Sequence, residues 1–341
     1  MRVFLYEWLC SGGMAHQINL PSLVHEGKTM FLALANDLAL LPGVQVITSL
    51  DQRVVSTMEV PNSIRCEQAL PDQDGIQFRR LASQADIALV VAPEIGLALK
   101  KTAQWLAEVG CQSFGPKPDT LTEASDKLAM ARLWQNAGVP CIPTEVWTKE
   151  SVLPSTRSVL KLSCGAGSWG NRVVTCAAEA SAVLDWATSQ GLGDVLVQPF
   201  MQGVPISVAA LVGEKQTLWL EPCAQILATD NSLGYRGGYL PLDPELRERA
   251  HQLGTRALGC WSGLRGWTGL DILLGKNPDG VDDLVVELNP RCTTSYAGLQ
   301  KLCQNNLVSV WLDVLQGRAA SVTWRFGEVK WTNTGKVEVV S

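Results

Sequence analysis

The feature that most constrains the fold is a pair of short apolar segments separated by a strong turn sequence. The segments cover residues 269–274 and 283–291, and both show the alternation that is typical of strands. The connecting sequence Lys-Asn-Pro-Asp-Gly at 276–280 contains the residues that tight turns favour. We therefore predict an antiparallel β-hairpin at this point of the chain.

The hairpin would gather oxygen ligands on one face. If the turn centres on Asp279, Asp271 lies opposite Glu287, and alternation along the strand places Asn289 on the same face as Glu287. Arg291 stands just beyond the strand end. Two carboxylates and an amide oxygen suit Mg²⁺, which prefers hard oxygen ligands. The alternative is an ordinary polar face of a half-buried hairpin, but the combination of residues favours a magnesium site.

The bulk composition excludes several classes of protein. A chain of 341 residues is too long for one simple core, so two or three domains are expected. The net charge of −5 argues against nucleic acid or an anionic membrane surface as the main partner. No apolar run approaches the roughly 20 residues of a membrane span, and Glu7 stands too early for a secretory signal. The ten scattered cysteines include no C-x-x-C pair and predict buried thiols in a reducing cytoplasm.

The first part of the chain, to about residue 115, alternates strand and helix patterns. Strands are predicted at 2–8, 44–48 and 86–92, and helices at 24–41 and 95–109. This alternation is typical of a small parallel sheet in an α/β domain. Ligands of such sheets gather at the carboxyl ends of strands, which here means Glu7, Ser11–Gly13 and Glu94. A structural role for any one of these residues stays open.

A glycine-rich segment lies between two strands predicted at 158–163 and 171–176. Residues 165–170 formally match the dinucleotide fingerprint G-x-G-x-x-G, but that fingerprint requires a helix to begin there, and the following residues are β-branched and strand-like. The alternative is a hairpin tip whose backbone N–H groups close over phosphates, with Lys161 on the preceding strand as a positive charge. A plain flexible hairpin is the third interpretation.

The rest of the chain continues in mixed order. Helices are predicted at 120–136, beginning with a capping box, and at 177–190, 243–260 and 307–315. Strands at 194–200 and 206–212 flank a bend at which Gln198 offers an acceptor to the amino group of adenine. Residues 233–239 are predicted as a polar, glycine-rich loop, and residues 321–340 as two short strands. Composition alone makes Lys127 a solvated surface lysine.

Together these segments resemble the ATP-grasp superfamily over roughly residues 115–315. Five pieces occur in the family's order: Asp126-Lys127 with Ala137–Pro140, Lys161 with the 165–170 loop, Leu196–Pro199 with Gly203 and Ser207, Gly269-Leu-Asp271, and Glu287–Arg291. The resemblance implies an ATP-grasp fold of the α/β (α+β) class, preceded by a Rossmann-like pre-grasp domain. The implied domains are residues 1–115, residues 116–318 with a small lid at about 140–200, and the C-terminal strands 319–341.

The resemblance also implies roles for individual residues. The phosphate-binding lysines are Lys127 and Lys161, with Lys161 and Arg291 as the catalytic charges facing the transferred phosphate. The magnesium (or manganese) ligands are Asp271, Glu287 and Asn289. The remaining ATP contacts are Gly165, Gly167, Ser168, Gln198 and Pro199. Two positions depart from the family: Pro205 stands where many members carry a ribose-binding Glu, and Gly269 stands where D-alanine ligases carry an Arg.

A narrower resemblance is to the tyramine–L-glutamate ligase group. It is carried by Phe4–Glu7 with Ser11–Gly13, Glu26-Gly27 with Met30, Ala92–Glu94, and Tyr235–Gly238 with Pro241. This resemblance implies substrate contacts from Glu7, Ser11, Gly12, Tyr235, Arg236 and Gly237. It also implies a role in the making of methanofuran-type cofactors.

The implied function is an ATP-dependent carboxylate–amine ligase that forms an amide through an acyl phosphate. Its cofactors are ATP and Mg²⁺, and its partners are a small-molecule acid and amine, with no nucleic acid or membrane; a homodimer stays compatible with the sequence. One alternative is an ATP-grasp enzyme of other specificity, such as a peptide ligase or a carboxylase. The other is a nucleotide-binding protein without ligase activity. A nicotinamide oxidoreductase is disfavoured by the strand that follows the glycine loop.

Overall fold

The computed structural model describes residues 1–13, 21–56, 58–70 and 74–340. Within these ranges the chain forms three β-sheets. Helices alternate with strands in the first part of the chain, whereas the later part is built around antiparallel strands with helices packed on them. The predicted α/β (α+β) class is confirmed.

The first sheet is the parallel sheet that the alternating pattern predicts. Its strands lie in the order β3-β2-β1-β4-β5, and every pairing is parallel. The strands are β1 (Arg2–Glu7), β2 (Gln45–Leu50), β3 (Arg65–Gln68), β4 (Ile87–Val91) and β5 (Gln112–Ser113). The helices of this unit are α1 (Pro21–Ala39), α2 (Gln52–Val55), α3 (Asp74–Ala82) and α4 (Ala98–Glu108). Strands β3 and β5 and helices α2 and α3 were not predicted.

A second, smaller sheet carries the glycine-rich loop at one of its turns. After α5 (Pro118–Ala124) and α6 (Lys127–Asn136), its strands lie in the order β6-β9-β7-β8, and all of them pair antiparallel. The elements are β6 (Glu145–Val146), β7 (Ser158–Leu162), β8 (Arg172–Val174), α7 (Ala177–Ser189) and β9 (Val195–Pro199). The loop between β7 and β8 is followed by a strand, as predicted, and not by a helix.

The third sheet is the largest and is wholly antiparallel. Its strands follow the order β15-β14-β10-β12-β13-β16-β17, with β11 paired to β10. They are β10 (Val204–Val212), β11 (Thr217–Trp219), β12 (Cys223–Leu227), β13 (Tyr235–Leu240), β14 (Gly266–Leu274), β15 (Leu284–Asn289), β16 (Glu328–Thr332) and β17 (Val337–Val340). The helices around it are α8 (Pro244–Leu258), α9 (Tyr296–Leu302) and α10 (Leu307–Leu315). The two predicted C-terminal strands therefore join this sheet.

One apolar core connects the first sheet to the third. It includes Phe31 and Leu34 of α1 together with Trp267 of β14 and Trp311 of α10, all buried. Phe114, which follows β5, packs edge-on against Trp311 with ring centroids 5.1 Å apart. This packing fixes the carboxyl ends of the parallel strands beside the antiparallel sheet.

The predicted helix 120–136 is wrong as a single element. It is two helices, because Asp126 adopts an extended conformation and caps α6 through bonds from the N–H groups of Leu128 and Ala129. The expected capping box at 120–123 is not the start of either helix, since α5 begins at Pro118. Lys127 is consequently the first residue of α6 and is buried, not a solvated surface lysine.

The predicted loop at 233–239 is also wrong, because residues 235–240 form strand β13. Gly237 and Gly238 make this strand possible. A Cβ on Gly237 would lie 2.0 Å from the Trp331 carbonyl oxygen, and one on Gly238 would lie 2.6 Å from the Trp331 ring. The glycines therefore permit close approach of β16. The cysteine prediction is right only in part: four of the ten are buried, and Cys66 and Cys176 are exposed.

No helix in the described ranges combines the length and the apolar character that crossing a bilayer requires.

The hairpin formed by β14 and β15 is anchored at its turn by a buried ion pair. Arg249 of α8 donates to Asp283 with an Nε–Oδ2 distance of 3.0 Å, and the side chains are only 9% and 5% exposed. Asp283 also accepts from the backbone N–H of Gly275 at 2.8 Å. The turn between the two strands is thereby tied to α8.

We expect Asp283→Ala to lower the free energy of unfolding by about 3–5 kcal/mol, because it removes the buried partner of the Arg249 guanidinium and leaves it the 3.5 Å contact with the exposed Glu245. Urea unfolding measures this. The matched control is Asp282→Ala: Asp282 is exposed and accepts only from turn N–H groups, so its loss should cost about 1 kcal/mol. Equal losses in the two variants would contradict the anchoring role.

Candidate active site

The strand register brings the predicted ligands together. Asp271 pairs with Glu287, and Gly269 pairs with Asn289, as the turn sequence predicts. A bulge follows Asp271, so the register shifts only beyond the ligand positions. Asn289 Nδ2 donates to Asp271 Oδ2 at 3.1 Å. Gln225 Nε2, on β12, donates to Asp271 Oδ1 at 2.8 Å across the intervening strand β10. The Asp271 carboxylate is therefore held by two side-chain amides.

Two buried lysines approach the same carboxylate oxygen. Lys127 Nζ lies 3.7 Å from Glu287 Oε2, and Lys161 Nζ lies 3.8 Å from it. Lys161 comes from β7, and Lys127 comes from the start of α6. The backbone N–H of Lys127 donates to Ser163 O at 3.1 Å, and Ser163 Oγ donates to Asp126 at 2.6 Å. The N-terminus of α6 is thus fixed against the end of β7, which places both ammonium groups in one cluster.

Burial and charge shift the pKa values of this cluster in opposite directions. Burial, reinforced by the neighbouring Glu287, raises the pKa of Asp271 to about 7. Burial acts the same way on Glu287, but Lys127, Lys161 and Arg291 outweigh it and lower the pKa of that carboxyl. Burial lowers the pKa of Lys161, against the opposing effect of Glu287. The site therefore confines two acidic groups whose mutual repulsion a cation would relieve.

The donor set fits a magnesium ion. Asp271, Glu287 and Asn289 supply hard oxygens on neighbouring strands, and Mg²⁺ typically takes one or two carboxylates and completes its shell with water and phosphate. The described residues contain no group of three or more His, Cys, Asp or Glu side chains able to hold a metal. A metal at this position would therefore depend on these two carboxylates, the amide and a bound phosphate.

Arg291 is held from the first sheet. Its Nε and Nη2 donate to the two carboxylate oxygens of Glu94, each at 3.0 Å, and the side chains are 11% and 3% exposed. Glu94 follows β4 at the carboxyl end of the parallel sheet. Arg291 Nη2 also reaches Asn289 Oδ1 at 3.5 Å. The sequence places each of the two residues near a ligand site but gives no signal of their pairing.

The cluster opens into a cavity of about 300 Å³ between the second and third sheets, with Glu26 of α1 at its edge. The predicted residues that line it are Lys127, Lys161, Gly165, Gly167, Ser168, Gln198, Pro199, Tyr235, Asp271, Glu287, Asn289 and Arg291. Gln198 is buried, and its Nε2 donates to Thr144 Oγ1 at 2.7 Å. The cavity therefore unites the predicted nucleotide, metal and arginine positions.

The glycine loop closes over this cavity against helix α1. Gly167 has φ +60, and a Cβ there would lie 2.3 Å from Leu23 Cδ2. A side chain at this position would push the loop away from α1. The backbone conformation also favours glycine, because L-residues rarely adopt positive φ. Close contact between the loop and α1 thus depends on this glycine.

Some predicted substrate residues lie elsewhere. Glu7 and Ser11 are buried, and with Gly12 they are not among the residues that line the cavity. Arg236 is exposed, outside the cavity, and 3.9 Å from Asp230. Gly237 packs against the backbone of β16. Of the six predicted substrate contacts, only Tyr235 faces the cavity; its hydroxyl accepts from Trp331 Nε1 at 2.8 Å.

Gln225 and Glu26 are cavity residues that were not among the predicted site residues. Gln225 lies on β12, a strand that the sequence analysis did not predict, and its only signal was a polar residue between apolar neighbours. Glu26 lies on α1 and lines the cavity. It belongs to the Glu26-Gly27 motif of the narrower resemblance, so the sequence held a signal that was not connected to the site.

Glu7 is a buried carboxyl at the end of β1. It accepts from the Cys10 backbone N–H at 2.8 Å, and a Cβ on Gly27 would lie 2.8 Å from its carboxylate. Burial raises its pKa from 4.5 to about 7, although the N–H of Cys10 acts against this. The pKa of Glu7 is therefore higher in the folded state than in the unfolded state. The Glu7 carboxyl makes its full contribution to stability below pH 4.5, and this contribution is lost as the pH rises to about 7.

We expect Glu7→Gln to remove this loss. The variant's free energy of unfolding, relative to the parent, should rise by about 2–3 kcal/mol between pH 4.5 and about pH 8, since one pKa unit corresponds to about 1.4 kcal/mol. Urea unfolding across this range, without substrates, measures it. A difference between the two proteins that stays constant with pH would show that the Glu7 pKa is not raised.

Comparison with known proteins agrees with this architecture. The profile of the ATP-grasp domain family matches residues 124–295, just over half of the chain. A solved structure of a protein assigned to the ATP-grasp superfamily from Archaeoglobus fulgidus superposes with a TM-score of 0.69 at 18% identity, covering 97% of this chain and 91% of that one. At this identity the likeness shows the fold.

Two curated relatives match over shorter segments. A tyramine–L-glutamate ligase from Methanocaldococcus jannaschii is 30% identical over 105 residues, which cover 31% of this chain and 32% of the relative. A phosphoribosylamine–glycine ligase from Synechocystis is 30% identical over 169 residues, covering 45% of this chain and 39% of the relative. The matched segments thus span between a third and two fifths of the relatives' length. The family profile and the superposed fold together establish that this chain belongs to the ATP-grasp family.

Proposed function

We propose that this protein is an ATP-dependent carboxylate–amine ligase. The single observation that carries the proposal is the cluster in which Lys127, Lys161, Asp271, Glu287 and Arg291 line one cavity. The two curated relatives are both named as ligases that join an acid to an amine. A protein that only bound a nucleotide would not require the paired carboxylates and a buried arginine in the same cavity.

The nucleotide would occupy the cavity between the second and third sheets. We assign the adenine end to Gln198 and Pro199 of β9, and the phosphate end to Lys127, Lys161 and the 165–168 segment. Gln198 uses its Nε2 to bond Thr144, which leaves the amide oxygen to accept from the adenine amino group. The glycine loop would offer backbone N–H groups to phosphate oxygens. Pro205 cannot supply the carboxylate that many family members offer to ribose.

We propose that Asp271, Glu287 and Asn289 hold Mg²⁺. When bound, the ion would neutralise phosphate charge and help to orient the triphosphate. Lys127 and Lys161 would also neutralise phosphate charge. Their ammonium groups approach Glu287, and both can turn to a phosphate oxygen within the same cavity.

The chemistry follows from positioning and charge. The carboxylate of the acid substrate attacks the γ-phosphate of ATP to give an acyl phosphate and ADP, and the amine then displaces phosphate to form the amide. Lys161 and Arg291 offset the negative charge that develops on the transferred phosphoryl group. Arg291 can do this without reorganisation, because Glu94 fixes its orientation. No side-chain nucleophile is needed.

The narrower proposal is that the acid is L-glutamate and the amine is tyramine or a similar amine, in the making of a methanofuran-type cofactor. It is supported by the tyramine–L-glutamate ligase relative and by the Tyr235 side chain in the cavity.

We further propose a division into three parts: a pre-grasp domain at 1–115, a grasp domain at 116–318 with a lid at about 140–200, and C-terminal strands at 319–341. We also propose a cytoplasmic location, where ATP is abundant.

ADP release by the pure protein with ATP and Mg²⁺ tests the proposal. L-glutamate and tyramine are added singly and together, and the product is identified by mass. We expect ADP and a γ-glutamyl amide only when both are present. ADP release with a different acid and amine would keep the ligase and reject this pair. If ATP binds tightly but no ADP is released with any of a broad panel of acids and amines, ligase activity is rejected.

The site assignment predicts the effect of removing one charge. Lys161→Ala or Glu287→Ala should lower turnover by about 10²–10⁴-fold, the usual effect of losing one preorganised electrostatic partner. The matched control is Lys330→Ala, which removes an exposed lysine of β16 outside the cavity and should leave turnover unchanged. Near-normal turnover in the Lys161 or Glu287 variant would reject the assignment.

A further inference from the structure

Glu26 is a buried carboxylate that lines the cavity from helix α1. It is 8% exposed, and Ser22 Oγ, one turn earlier on the same helix, donates to its Oε1 at 3.2 Å. It also faces the glycine loop, since a Cβ on Gly167 would lie 3.8 Å from Oε1. Thr294, which follows the hairpin and also lines the cavity, is a further hydrogen-bond donor to it. Glu26 therefore lies between α1, the loop and the end of the hairpin.

The charges around Glu26 are already paired with other groups. Lys127 and Lys161 approach Glu287, and Arg291 is bonded to both oxygens of Glu94. In the part of the chain that the structure describes, Glu26 forms no ion pair of its own; burial raises its pKa, and the nearby Arg291 charge opposes that rise only in part. A buried carboxylate without an ion pair is costly. A cationic ligand in the cavity would supply the missing partner.

The proposed reaction brings such a cation to the site. An aliphatic amine is protonated at neutral pH and has no lone pair for attack until a proton is removed. Of the carboxylates that line the cavity in the described residues, Asp271 and Glu287 belong to the metal and lysine cluster, which leaves Glu26. Burial raises the pKa of Glu26 to about 7, a range in which a carboxylate can accept a proton and release it again.

We propose that Glu26 binds the ammonium group of the amine substrate and takes one proton from it before attack. This inference rests on the proposed ligase function. It makes the second substrate an amine that enters as a cation. It also makes Glu26 a catalytic residue contributed by the first sheet's domain.

The proton and electron balance of the step is complete. Glu26 accepts one proton, and the nitrogen lone pair forms a bond to the acyl carbon of the acyl phosphate. The bond between that carbon and the phosphate oxygen breaks, and phosphate leaves with the electron pair. The second proton lost from nitrogen leaves with the phosphate, so the products are the amide, hydrogen phosphate and protonated Glu26.

Hydroxylamine separates the role of Glu26 from all earlier steps. Its nitrogen is unprotonated at neutral pH, so it attacks an acyl phosphate without a base and gives a hydroxamate. With ATP, Mg²⁺ and L-glutamate, or the acid found in the ADP assay, Glu26→Gln should form the amide at least about 10²-fold more slowly than the parent. Hydroxamate formation by the same variant should stay within about threefold of the parent.

The matched control is Asp37→Asn. Asp37 is another carboxylate of α1 whose pKa burial raises, but it bonds the Tyr296 hydroxyl outside the cavity. Its variant should keep the parent's ratio of amide to hydroxamate. Thermal unfolding of both variants checks their folding.

Three results would overturn the inference. An unchanged amide rate in Glu26→Gln would show that no proton transfer to Glu26 is needed. Equal losses of amide and hydroxamate would place Glu26 in the acid or nucleotide site. Absence of hydroxamate with the parent protein would reject the proposed ligase function itself, and this result is distinct from the other two because it involves no variant.

Discussion

The candidate site depends on the attraction between the Glu287 carboxylate and two lysine ammonium groups, because three separate segments of the chain meet there. The carboxylate is carried by the β14–β15 hairpin, and one of its oxygens lies within 3.8 Å of the ammonium groups of Lys127 and Lys161. Burying two lysines without an opposing charge would be costly. The start of α6, the end of β7 and the hairpin are therefore positioned relative to one another by charge as well as by packing.

A second ion pair connects this cluster to the first sheet. Glu94 follows β4 at the carboxyl end of the parallel strands and holds Arg291 through two hydrogen bonds. The shared apolar core, in which Phe114 packs on Trp311, brings these two parts of the chain together. The first sheet thus contributes to the site in two ways, by orienting Arg291 and by presenting Glu26 from α1. The later part of the chain without this unit would lack both.

Local sequence patterns predicted the hairpin well because its determinants are local. Asp271 and Glu287 pair as a turn centred on Asp279 requires. The connection, residues 275–283, is longer than a tight turn, but it is held by its own residues, since Asp282 and Asp283 accept hydrogen bonds from the backbone N–H groups of Lys276 and Gly275. Patterns failed where a local signal had two structural explanations. Gly237 and Gly238 are turn-forming residues by composition, but here they allow β13 to approach Trp331 of a strand more than ninety positions later. Thr120 to Glu123 matches a capping box, yet Asp126 provides the cap, through bonds that also involve Ser163.

The sequence by itself therefore determined the α/β class, the parallel sheet, the hairpin register and the pairing of Asp271 with Glu287, because periodicity and turn chemistry act over a few residues. The tertiary structure alone decided that Lys127 is buried, that Arg291 is paired with Glu94, and that Glu26 faces the cavity. Each of these depends on two segments far apart in the chain that meet only when the sheets pack. No local pattern encodes such a meeting, because the partner that satisfies a buried charge is chosen by the packing of the whole molecule.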